Sequence, residues 1–192
     1  LSCDSIAPGQ THNHYCPLIP AASHLAMAQL DGQRRGVPVL RFPLDLTPEP
    51  VRDRDLAALS EPLRLDKKRL RAAIAAATEA QQTFTQALES RGRQVLSGLS
   101  PGQKAAVVVG RTYNTCDLGA CLDLPFKLRR LGVLPIPLEY LPVDSVDISD
   151  QYRDMYWRSG QRILAAAVLV AKDPRLQAIY LTNFNCGPDS FL

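Results

Sequence analysis

Ala105-Ala-Val-Val-Val109, closed by Gly110, is an unbroken apolar run rich in β-branched residues. A strand with one wet face alternates polar and apolar residues. A strand covered on both faces does not, so this run reads as the buried strand of a parallel sheet. Working outward, the polar loop Arg111 to Gly119 leads into a helix near Leu122 to Leu131, ended by Gly132. Val133 to Pro137 reads as the next strand. A loop with Pro142 and several aspartates follows, then a long helix from about Asp150 to Lys172, stopped by Asp173-Pro174. Ala178-Ile-Tyr-Leu-Thr182 is the third strand. The order βαβαβ across residues 104–190 implies right-handed crossovers and a Rossmann-like parallel sheet, one half of a doubly wound α/β fold.

The segment before this run has a different character. Residues 1–20 are polar and turn-rich, and Ala21 to Gln33 reads as a short helix. Val37 to Phe42 is β-prone, but Pro38 and Pro43 restrict it to a short or edge strand. Thr47 to Pro62 reads as a connection containing a helical turn. From Asp66 to Arg91, Leu70, Ile74, Ala77, Gln81, Phe84 and Leu88 recur at steps of three and four, the signature of one helix face. Leu99-Ser-Pro-Gly-Gln103 breaks that pattern. The expected division is an N-terminal helical or mixed part, 1–98, and an α/β half, 99–192.

Composition narrows the class. The 192 residues are 46% hydrophobic and 21% charged, which excludes disorder, collagen and disulfide-dense miniproteins. No apolar run approaches the roughly 18 residues a membrane helix needs. The net charge of +3 is small, and the densest basic cluster, Lys67, Lys68, Arg69 and Arg71, opens a helix as a solvated face, so nucleic acid is not an expected partner. The chain starts at Leu1 without a signal-like segment and stops at Leu192, and it reads as a piece of a longer polypeptide. Cysteines stand at 3, 16, 116, 121 and 186. An odd number without an export signal points to a reducing cytoplasm, where thiols serve as filler, ligands or reactive groups.

In an open parallel sheet the loops that follow the strands share one edge, and ligands bind in the crevice there. That topology brings Cys116 and Cys186 to the same edge. Cys186 precedes Gly187-Pro188, where the backbone must turn beside the sulfur. Such a thiol can be an iron–sulfur or other metal ligand, a nucleophile, or small filler under a loop. Arg111 directly follows the first strand and suits a phosphate or carboxylate in the crevice, or equally a salt bridge closing the loop. His12, His14 and Cys16 alternate and could share a side in extended chain, which suits zinc, although a fourth ligand is not evident. Cys121 opens a helix among apolar neighbours and reads as packing. The fingerprints GxGxxG, GxxxxGK[ST] and GxSxG are absent, which argues against a dinucleotide or ATP bound by those devices and against an α/β-hydrolase.

Several stretches resemble one family. Gly110-Arg-Thr-Tyr-Asn-Thr-Cys-Asp-Leu-Gly119, Pro135-Ile-Pro-Leu-Glu-Tyr-Leu-Pro142, Met155-Tyr-Trp-Arg-Ser-Gly-Gln-Arg-Ile-Leu164 and Tyr180-Leu-Thr-Asn-Phe-Asn-Cys-Gly-Pro-Asp-Ser-Phe191 are similar to CoA-substrate-specific enzyme activase-related proteins, kin of the 2-hydroxyacyl-CoA dehydratase and benzoyl-CoA reductase subunits. His12-Asn-His-Tyr-Cys-Pro17 resembles the family's N-terminal cysteine motif. The resemblance implies an iron–sulfur cluster, a [4Fe–4S] or a double cubane, held between Rossmann-like lobes. Cys16 and Cys186 are the implied ligands, and Cys116 is a weaker third. Asn183, Asn185 and the backbone near Gly187 are the implied donors around the cluster, and Arg111 lies beside it. The implied role is low-potential electron transfer within an ATP-driven reductase or acyl-CoA dehydratase-activating system. Its expected partners are an ATP-binding activator, other lobes of the parent polypeptide and an acyl-CoA, and the piece alone would be inactive. Thr112 stands where the family usually has proline. Two other readings stay open: a non-catalytic Rossmann-like scaffold, and a zinc or thiol enzyme built on residues 12–16.

Overall fold

A computed structural model describes residues 18–30, 51–183 and 186–191. The edge strand expected at Val37 to Phe42 lies outside them. The chain divides into two compact units, Leu1–Gln82 and Thr83–Leu192.

In the first unit, helix α1 spans Leu18–Leu30 and α2 spans Asp53–Leu63; α3, Lys67–Ser97, begins here. The segment read as a connection with a single turn is therefore mostly helix. Asp53 and Asp55 stand in the first turn of α2, where carboxylates complement the helix dipole. At its other end Arg64 adopts a left-handed conformation, and the Leu65 N–H closes on the Ser60 carbonyl at 3.1 Å. Leu56, Leu59, Leu70 and Val51 form a small core, with Leu65 and Ile74 packed on it.

The second unit holds the sheet. Strands β1 (Ala105–Gly110), β2 (Leu134–Pro137) and β3 (Leu176–Leu181) are all parallel, in the order β2-β1-β3. Ala105 pairs with Leu134 on one side and with Leu176 on the other. Every residue of β1 is buried, as its unbroken apolar run requires. Two short helices, α4 (Thr112–Thr115) and α5 (Leu124–Arg130), connect β1 to β2, and α6 (Arg158–Ala171) connects β2 to β3. Ala105, Val107 and Val109 share a core with Ile136, Leu138, Ile163, Ala166 and Val170. The late turns of α3 add Val95 and Leu96 to it. Gly92 of α3 meets the Tyr140 carbonyl so closely that a Cβ there would clash with backbone.

Two boundaries differ from expectation for local reasons. The helix α6 starts at Arg158, not near Asp150, because residues 148–155 are spent on turns. The Gln151 and Tyr152 N–H groups both bond the carbonyl of buried Ile148, and Gln161 Nε2 donates to the Met155 carbonyl at 2.8 Å. In the β1–α5 connection, Leu122 and Asp123 take consecutive left-handed conformations, φ 51° and 56°. Each costs a non-glycine residue about 1–2 kcal/mol, and the turn leaves Leu122 71% exposed.

The order β2-β1-β3 is that of flavodoxin-like doubly wound sheets. In those sheets the ligand crevice opens between the C-terminal ends of β1 and β3.

Candidate functional site

The C-terminal ends of β1 and β3 bring four polar side chains together. Arg111, the residue after β1, points its guanidinium at Asp189, in the 3-10 turn Pro188–Phe191 that follows β3. Its Nε donates to Asp189 Oδ1 at 2.9 Å, and Nη2 lies 2.7 Å from the same oxygen. The two side chains are 5% and 0% exposed. Thr182 Oγ1 donates to Asp189 Oδ2, and the Tyr180 hydroxyl donates to the Asp189 carbonyl, both at 3.3 Å. Burial pulls the Arg111 pKa down, but the hydrogen bond and charge of Asp189 outweigh it and raise the value above the ordinary one. Burial likewise pushes the Tyr180 hydroxyl up.

Beside this pair, Asn183 Nδ2 donates to Asn114 Oδ1 at 2.9 Å, tying the end of β3 to helix α4. Asn114 is 3% exposed, and its own Nδ2 has no partner among the described residues. A buried amide donor left without an acceptor costs about 1–3 kcal/mol, so it marks a place where an acceptor would be welcome.

Cys186 sits next to these groups. Its thiol is free and half-buried, close enough to Arg111 and Tyr180 to act on their charges. Its N–H bonds the Asn183 carbonyl, and its own carbonyl accepts from the Ser190 N–H and hydroxyl at 3.0 and 2.7 Å. A Cβ added at neighbouring Gly187 would meet nothing within 4 Å among the described residues. Cys116 has different surroundings, with Glu139 after β2. Burial of the sulfur and the Glu139 carboxylate push its pKa up, against a 3.7 Å contact with Thr115 Oγ1. Glu139 accepts from Thr112 Oγ1 at 2.8 Å and keeps its other, buried oxygen without a partner among the described residues.

Of the residues singled out in the sequence, Arg111, Asn183 and Cys186 are gathered at the β1–β3 crevice, and Cys116 stands with Glu139. Cys16, His12, His14 and Asn185 lie outside the described residues. Arg111 is engaged in an ion pair that closes the loop, one of its two expected roles. Asn114 and Asp189 lie in the loops that the sequence places at this edge, and Glu139 opens the third such loop, but residue type alone gave none of them a role. A cavity of about 550 Å³ opens elsewhere, at the N-terminal ends of the strands, lined by Lys104, Ala106, Leu128, Val133, Gln177 and Ile179 among others. It contains no thiol and none of the paired polar groups, so the crevice is the better candidate.

Residues 4–141, more than two thirds of the chain, match the family described as CoA enzyme activase uncharacterised domain (DUF2229). The chain belongs to this family. The comparisons with curated proteins and with solved structures returned no match. Among the described residues of this activase-related domain no helix is long and apolar enough to cross a membrane.

The family resemblance implies an iron–sulfur cluster, and the crevice can be tested for one. Among the described residues no group of three His, Cys, Asp or Glu side chains is arranged to hold a metal ion. What the crevice does offer is one half-buried thiol, Cys186, and an orphaned buried N–H donor at Asn114. That donor set fits one corner of a thiolate-held cluster, whose sulfur atoms accept hydrogen bonds. The other ligands would have to come from outside the described residues.

Proposed function

We propose that this activase-related domain is an iron–sulfur electron-transfer module of an ATP-dependent reductase or acyl-CoA dehydratase-activating system, with Cys186 and Cys16 as thiolate ligands. The observation that carries the reading is Cys186 itself. It is a half-buried thiol in the loop that follows β3, at the C-terminal edge of a parallel sheet, and the adjoining loop after β1 carries an unpartnered amide donor at Asn114. Bound there, a cluster would supply one-electron chemistry, tuned by burial and by hydrogen bonds to its sulfurs.

The chain's own residues would do the rest. The Arg111–Asp189 pair, neutral overall, fixes the turn that presents Cys186. Asn183 holds Asn114 in place and leaves the Asn114 Nδ2–H without an acceptor among the described residues. Asn185 and the Gly187 backbone are the further donors in this reading. Cys116 is the weakest ligand of the set, because burial first and then the Glu139 carboxylate disfavour its thiolate. The partner in this reading is an ATP-binding activator that delivers the electron, and an acyl-CoA thioester is the substrate class.

The test is anaerobic reconstitution with iron and sulfide, read by visible absorption and iron content, on the chain and on Cys186→Ser and Cys16→Ser. Broad absorption near about 400 nm, lost in both variants, supports the reading. Iron uptake indifferent to both substitutions overturns it.

A further inference from the structure

We infer that the cavity at the N-terminal ends of the strands is a binding site for an apolar monocarboxylate, with Lys104 and Gln177 holding the carboxylate. Its volume, about 550 Å³, lies within the range of small-molecule clefts. The register of the sheet builds it. Ala106 pairs with Gln177 and Val108 with Ile179, so these four residues face one side of the sheet. Lys104, two residues before Ala106, shares that side. The core formed with α6 takes Ala105, Val107 and Leu176 from the opposite side. On the Lys104 side α5 supplies Leu128, and the floor is Ala106, 3% exposed, where a longer side chain would fill the space.

The polar groups around this cavity define what it can hold. Ala106, Leu128, Val133 and Ile179 give it an apolar lining. Gln103 and Arg175 also border it, but both are engaged elsewhere. Gln103 Oε1 accepts from the Ser100 N–H at 3.1 Å. Arg175 Nε and Nη2 donate to Asp173 at 2.9 and 2.7 Å, and its Nη1 donates to the Leu96 carbonyl at 3.2 Å. The side chains of Lys104 and Gln177 have no hydrogen-bond or ion-pair partner among the described residues. The lining therefore carries one uncompensated charge, the Lys104 ammonium, beside one amide donor. Apolar walls with a single cation match a ligand with an apolar body and one negative charge. The two oxygens of a carboxylate accept from the ammonium and from the Gln177 amide. A phosphate monoester, with close to two charges at neutral pH, would leave one of them unpaired against apolar walls.

The experiment is NMR of the isotope-labelled full chain, titrated with octanoate to about 10 mM, since a ligand of about ten non-hydrogen atoms is expected to dissociate near 1 mM. The Ala106, Gln177 and Ile179 amides shift saturably, while the loops of Arg111 and Cys186, at the other ends of the strands, do not. The outcome is thus independent of whether a cluster binds at Cys186. Lys104→Gln weakens octanoate about fivefold, the worth of an exposed ion pair. Gln177→Glu gives Lys104 an internal counterion, repels the ligand, and removes saturation in this range. Both residues are exposed, so neither substitution disturbs the fold. Octanol, the same chain without the charge, binds about fivefold more weakly than octanoate and does not respond to Lys104→Gln. Absence of saturable shifts overturns the proposal. So does an octanoate affinity indifferent to Lys104→Gln, or octanol binding as tightly as octanoate.

Discussion

Removing the Asp189 carboxylate leaves the Arg111 guanidinium charged, 5% exposed and without its counterion. Breaking a buried pair from one side typically costs about 3–5 kcal/mol, because the remaining charge is neither solvated nor neutralised. Here the loss also frees Thr182 Oγ1, and among the described residues the guanidinium has no second ion-pair partner. The upper half of that range is therefore expected for Asp189→Ala. With a urea m-value near 2 kcal/mol/M, the unfolding midpoint falls by about 2 M. Trp157, the single tryptophan, reports on the unit that contains the pair, so fluorescence follows the transition. Asp189→Asn keeps the shape and the Thr182 contact yet still strands the charge, and it should cost nearly as much as alanine. The double variant Arg111→Met with Asp189→Leu removes both charges and should recover most of the loss. A midpoint shift below about 0.5 M for Asp189→Ala, or single costs that simply add in the double variant, would refute the reasoning.

Three further outcomes follow from local geometry. Gly92→Ala, which in an ordinary helix interior gains up to about 1 kcal/mol, should instead destabilise by at least about 1–3 kcal/mol through its clash with the Tyr140 carbonyl, measured by thermal unfolding. Leu122→Gly should stabilise by about 1 kcal/mol, since glycine adopts φ 51° without strain, and a lower melting temperature would contradict the left-handed turn. The exposed Asp173 carboxyl is held down to about 2, first by its hydrogen bonds from the Arg175 side chain and then by the Arg175 N–H. A depressed carboxyl pKa favours the folded state above the unfolded value and loses that contribution as pH falls toward about 2. NMR titration should show that midpoint, and Arg175→Ala should return it toward 3.8.

What the sequence reveals and what it hides have physical reasons. The valine run at 107–109 has one plausible environment, a strand buried on both faces, and that single element sets the topology around it. The pairing order does not appear in any local pattern, because it depends on which side of β1 each crossover takes. The helix α3 runs on through Gly92 to Ser97, since a missing side chain there receives another backbone and ends nothing. The helix α6 starts later than the sequence suggests because the turns around buried Ile148 are set by tertiary packing, which no local pattern shows. At the crevice, thiols stand out by residue type, so Cys186 was legible. Asp189 and Asn114 were placed at the same edge by topology, but their pairing with Arg111 and Asn183 appears only in the fold.

The pairing of β1 with both neighbours has a kinetic consequence. β1 and β2 are close in sequence and can zip early, whereas β3 must wait for the whole α6 crossover to form and dock. The Arg111–Asp189 contact, spanning 78 residues, belongs to that last step. During folding, the Cys186 thiol stays in open chain until β3 docks. The rate at which this half-buried thiol slows in its reaction with an alkylating reagent is therefore a clock for completion of the sheet.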